Sequence, residues 1–146
     1  MIRGYHETFS NAQAITANAA SSNQIDLGAI RDLGVGARQL YVVVQCTAVM
    51  SDSGNNSNCT VYLRTDADVA MGSPTNTQTI GVFATNSAVG TRLVQAIQPG
   101  NANERYLDVY YSMGGGDLTT GSFTAWVTDQ PQFDRYYANN YTVSTS

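Results

Sequence analysis

Lysine is missing altogether: all seven basic residues are arginines, set against eleven carboxylates and a single histidine. Charged residues make up only 12% of the chain, about half the usual share. No basic run exists to neutralise a phosphate backbone, and the net charge is −4, so a nucleic-acid partner is excluded. Without lysine there is no Walker-type phosphate loop. No apolar run reaches the ~18 residues of a spanning helix, so no membrane partner is expected. The opening MIRGYHETFS has no apolar core of a secretory leader, which predicts synthesis in a cytosol.

Catalytic groups are equally scarce. The one histidine, His6, stands in the N-terminal stretch, where chain ends are seldom held firmly enough for a Ser-His-Asp arrangement. No GxSxG elbow occurs. The glycine-rich GVGARQ and MGGGDLTTG open no evident helix that would cradle a phosphate. The chain is therefore read as a non-enzyme with no catalytic residues, no cofactor and no metal.

What is present is Thr, Ser, Asn and Gln in place of charge, with 42% hydrophobic residues and 10% aromatics. That mixture makes a hydrogen-bonding surface over a real core, not a disordered chain. At 146 residues a single domain burying about 70% of its unfolded surface is expected. Helical periodicity is nearly absent. Short alternating runs recur instead: QIDLG, ARQLYVVVQC, CTVYLRT, TQTIGVFA, GTRLVQAI, RYLDVYYSM and GSFTAWVTD, divided by Gly- and Asn-rich turns. Seven such runs predict an all-β sandwich or barrel. MGGGDLTTG is expected to join Tyr111 and Phe123 as a hairpin, and DADVAMGSP to form a short helical turn capped by Asp66 or Asp68 and stopped at Pro74.

The stretch QLYVVVQCTAVMSDSGNNSNCTVYLRT also reads as a hairpin. Setting Cys46 opposite Cys59 places Val44 against Val61 and Val42 against Leu63, giving one apolar face with Tyr41, Val43, Gln45, Thr60, Tyr62 and Arg64 behind. The two cysteines become a cross-strand pair on the core side. They are reduced in a cytosol, or a disulfide if the protein matures outside one, and two thiols alone do not make a zinc site.

Asp66 and Asp68 form a DxD pair that would suit a cation or, with Glu104, a small hydrolase site. Turn and cap hydrogen bonds account for the pair more simply. If Leu107, Val109 and Tyr111 face inward, then Tyr106, Asp108 and Tyr110 face out. With Trp126 they offer an aromatic surface patch that would stack sugar rings or anchor a protein interface.

FSNAQAITANAASSNQIDLGAIRDLGVG followed by QLYVVVQ resembles the opening of the capsid cement (decoration) proteins of tailed bacteriophages, specifically the Bordetella-phage cement-protein family. VYLRTDADVAMGSPT and ERYLDVYYSMGGGDLTTGSFTAWVT are similar to that family's middle and final strands. The resemblance covers about residues 9–128 in order. It implies a jelly-roll-like antiparallel β-sandwich, without activity or cofactor, on the outer surface of an icosahedral head in the virion. Its partners would be the major capsid protein and further copies of itself, as a homodimer or homotrimer.

On this reading residues 1–22 form an N-terminal arm, 23–130 the sandwich and 131–146 an aromatic C-terminal tail. The arm adds to a neighbour's sheet edge with Phe9 and Ile15 as anchors, so deleting the first eighteen residues would leave the sandwich folded. Tyr136, Tyr137 and Tyr141 are the expected tail contacts with a sister subunit or the shell. The alternative is a carbohydrate-binding sandwich on the virion surface that uses Tyr106, Tyr110 and Trp126.

Overall fold

The computed structural model describes residues 8–27, 39–100 and 103–129, and these form an all-β structure. Its strands are β1 (Thr8–Ala14), β2 (Ala19–Ala20), β3 (Ile25–Asp26), β4 (Tyr41–Ser51), β5 (Asn58–Asp66), β6 (Thr75–Phe83), β7 (Arg92–Ala96), β8 (Tyr106–Gly114) and β9 (Thr120–Thr128). Two antiparallel sheets face each other: β1-β9-β4-β7, and β2-β8-β5-β6 with β3 also on β8. Counting β2 and β3 as one interrupted strand leaves eight strands in two sheets of four, the jelly-roll arrangement.

Chain connections pass from sheet to sheet, except those from β2 to β3 and from β5 to β6. Two expected hairpins are therefore absent. β4 pairs with β7 and β9, and β5 with β6 and β8, so Cys46 and Cys59 are not cross-strand partners. The expected face is nonetheless correct: Val42, Val44, Cys46, Cys59, Val61 and Leu63 are all fully buried in one core. They meet through opposed sheets. A period-2 pattern states which side chains go inward, but not whether the next strand lies beside them or across from them. The Tyr111–Phe123 connection likewise runs from one sheet to the other.

These two crossings pack on each other. The Asp52 carboxylate accepts the backbone N–H groups of Gly54, Asn56 and Ser57 at 3.0–3.1 Å, which holds the first crossing's turn. Gly115, at φ +84°, lies so close to it that a Cβ would stand 2.1 Å from the Asn56 carbonyl oxygen. The β5–β6 connection, which stays in one sheet, is DADVAMGSP. It is a turn without helix, in which Asp66 and Asp68 accept N–H groups of the loop itself.

The core centres on three rings, with Phe123 4.9 Å from Phe83 and 5.3 Å from Tyr111 between centroids. Phe9 and Ile15 join it, at 0% and 1% exposure. Residues 8–14 are thus not a free arm: β1 is the edge strand of its own sheet, bulged between Ser10 and Gln13 and paired with β9. The buried Tyr111 hydroxyl donates to Ser10 Oγ at 2.9 Å, and Ser10 Oγ donates to Gln13 Oε1 at 2.8 Å. This chain of hydrogen bonds ties the lead-in across the core to the second sheet. Sparse apolar residues concealed the strand, because the bulge re-aims side chains and breaks strict alternation.

Candidate functional site

A concave surface opens where the partner of β8 is interrupted. β2 pairs Ala19 and Ala20 with Tyr111 and Tyr110, and β3 pairs Ile25 and Asp26 with Leu107 and Tyr106. Between them residues 21–24 leave the ladder opposite Asp108, whose side chain is buried. The result is a cleft of about 410 Å³ bounded by residues 20–24 on one side and by Ala70 and Met71 on the other, with Arg64 and Asp108 at its floor.

The polar composition of the lead-in explains the first wall. Gln13 Nε2 donates to the Ala20 carbonyl at 3.0 Å and its Oε1 accepts Ser22 N–H at 2.7 Å. Asn23 reaches back to β1, donating from Nδ2 to the Thr8 carbonyl at 2.6 Å and from its backbone to the Phe9 carbonyl at 2.9 Å. Ser21 Oγ donates to the Asn23 carbonyl and accepts Val109 N–H. The second wall is the DADVAMGSP turn: Asp66 accepts the N–H groups of Asp68 and Ser73, and Asp68 accepts that of Ala70, all at 2.9–3.0 Å. These contacts hold the Asp66 carboxyl below its ordinary range. Gln24 Nε2 donates to the Val69 carbonyl at 2.7 Å and so links the two walls.

Arg64 on β5 lies opposite Asp108 on β8. The pair is bidentate, Nε to Oδ1 at 2.8 Å and Nη2 to Oδ2 at 2.5 Å, with side chains 12% and 4% exposed. The guanidinium also lies 4.5 Å from the Tyr110 ring centroid, which fixes its plane. Burial raises the Asp108 carboxyl above its usual range, and Arg64 opposes that rise without cancelling it. Sequence alternation put Asp108 and Arg64 on outward faces but did not pair them. The usable signal was opposite charge on two outward positions, and strand order had to be known to use it.

The expected aromatic patch does not assemble. Tyr106 and Tyr110 share the outer face of the second sheet as alternation predicts, yet Tyr106 is buried, with Arg105 5.1 Å from its ring centroid. Trp126 belongs to the other sheet, opposite Val43, and is fully buried. A central strand there presents residues to both faces, and its outward tryptophan is covered. Phe9 and Ile15, expected as contacts with a neighbour, are core residues and offer no surface. Tyr136, Tyr137, Tyr141 and His6 lie outside the described residues, as do residues 1–7 of the expected arm and 131–146 of the expected tail.

The Asp66–Asp68 pair is engaged in its turn, and Glu104 lies in the bend before β8. Among the described residues no group of three or more His, Cys, Asp and Glu side chains could hold a metal ion. Both cysteines are free thiols in the core. Burial, with added repulsion from Cys46, pushes the Cys59 thiol up to about 12.

Exposed apolar side chains provide a second surface feature. Val82 on β6 and Val94 on β7 are 51% and 44% exposed, and these strands are the adjoining edges of the two sheets. Gln78 of β6 donates to the Ala96 carbonyl of β7 at 2.5 Å. Gly81 leaves room for Leu93, whose side chain would be 3.1 Å from an added Cβ.

With this geometry in hand, comparison with protein families matches residues 9–127 to the family described as Bbp16. No curated protein matches the chain.

Proposed function

Because the chain belongs to the Bbp16 family, a family of phage proteins, we propose that it is a structural virion protein that decorates and cements the outside of an icosahedral phage head. It bridges capsomers of the major capsid protein and associates with copies of itself, without catalysis and without a cofactor. The observation that carries this reading is the family match, which runs from the first strand into the last. The low charge and the exposed Val82 and Val94 edge agree with a surface that adheres to protein.

The mechanism is linkage. A protein that binds only the expanded shell stabilises that shell by its binding free energy. Repetition of the site over one particle makes modest contacts additive. Separation of capsomers under internal DNA pressure then requires breaking all of them.

Co-sedimentation of the purified protein with expanded heads that lack it tests the proposal. Saturable, near-stoichiometric binding is expected. Folded protein that does not bind intact heads overturns it. Truncation after Asp129 then measures whether Tyr136, Tyr137 and Tyr141 contribute contacts.

A further inference from the structure

The cleft over Arg64 and Asp108 has features that cementing does not use. Its volume of about 410 Å³ falls in the range of small-ligand sites. Arg64 and Asp108 are the charged side chains that line it, and they neutralise each other. A charged ligand therefore gains little there, and an uncharged polar one is favoured.

Hydrogen-bond capacity narrows the class. A guanidinium has five N–H donors and a carboxylate about four acceptor sites; the pair uses two of each. Donors and acceptors are left side by side in one plane. A hydroxyl both gives and accepts a hydrogen bond, so two adjacent hydroxyls on one ring match this array, one accepting from Arg64 and its neighbour donating to Asp108. Ala70 and Met71 add an apolar lip for ring C–H groups.

We propose that this cleft is a saccharide site that binds a vicinal diol of a neutral sugar through Arg64 and Asp108. A desolvated ion pair is a poor way to stabilise a sheet, since apolar residues of similar volume do as well. Here the pair is instead held for recognition. Tyr110 sets its plane, and both walls are fixed by side-chain hydrogen bonds to backbone. Such rigidity lowers the ordering cost of binding. The inference is independent of cementing, and its failure leaves that reading intact.

The test is titration of the isotope-labelled full chain with methyl mannoside, methyl galactoside and maltose, followed by amide chemical shifts. Saturable shifts confined to residues 20–24, 70–71 and the Arg64–Asp108 strands are expected, with millimolar dissociation constants. Ala70→Trp places bulk on an exposed lip without touching the pair, and weakens binding roughly tenfold or more, equivalent to about 1.4 kcal/mol. Arg64→Gln removes the bidentate donor and abolishes the shifts; its melting curve and that of Ala70→Trp are recorded alongside. Absence of saturable shifts with all three sugars overturns the proposal. So do shifts unchanged in folded Ala70→Trp, or shifts produced by a capped dipeptide but by no sugar.

Discussion

Single residues carry much of the fold's specificity. Ser10 is one: its hydroxyl is the acceptor for a tyrosine hydroxyl with no access to water. Ser10→Ala leaves that hydroxyl unsatisfied and costs about 1–3 kcal/mol, whereas Tyr111→Phe removes the need and costs less. Urea unfolding of the two variants gives the comparison. The buried thiols behave as inert core groups, because thiolate is the reactive form and burial disfavours it. At pH 8 a thiol reagent is expected to label Cys46 and Cys59 only as the protein unfolds, with a rate that rises with denaturant. Asp52 and Asp66 contribute to how stability changes in acid. Their carboxyls are held below the unfolded values by backbone N–H groups, so their contribution is present above the unfolded pKa and is lost as pH falls through the folded one. Asp108 has the opposite sign, since its folded pKa is raised; protonation favours the folded state there. A melting temperature that falls below about pH 4, less steeply in Asp52→Asn, is the expected result.

At the scale of elements, β1 separates an arm from a sheet. Phe9→Ala empties a fully buried site and is expected to cost about 3–5 kcal/mol. Deletion of the first eighteen residues, which removes β1 whole, is expected to abolish cooperative melting. This reverses what the sequence predicts for that deletion. The reason is local: FSNAQAI contributes two large apolar residues to the core, while Ser10 bonds to the Gln13 and Tyr111 side chains and Gln13 to the backbone of Ala20 and Ser22, a pattern that composition reads as solvent-facing. Elsewhere the alternating runs were legible, because buried and outward positions alternate along β5, whereas β8 is buried on both faces over its first four residues. Turns were harder to read. Asp52–Ser57 and the glycines after Met113 carry hairpin chemistry, yet each joins opposite sheets, and only long-range pairing decides between the two outcomes. The cleft was illegible for the same reason, since it requires β2, β5 and β8 to be neighbours.

For the whole molecule, the exposed valines at the β6 and β7 edges provide the test of where adhesion resides. Val82→Lys and Val94→Lys replace apolar surface that the core does not use, so melting is expected to stay within about 0.5 kcal/mol of the parent. If the shell or a sister copy covers this edge, both substitutions weaken co-sedimentation. Unchanged binding in a folded double variant moves the contact to another face.

Strand order also governs when the molecule can come into being. β9 lies between β1 and β4, and β8 lies between β2 and β5. Among the described strands, the two at the heart of the sheets are therefore the last two to leave the ribosome. Until they emerge, β1 lacks the strand it pairs with, and β4 and β5 each lack one of their neighbours. Folding is expected to wait for release and then to proceed slowly, as non-local pairings must form together. A chain stalled before Tyr106 is expected to remain sensitive to protease, and one extended well past Thr128 to become resistant.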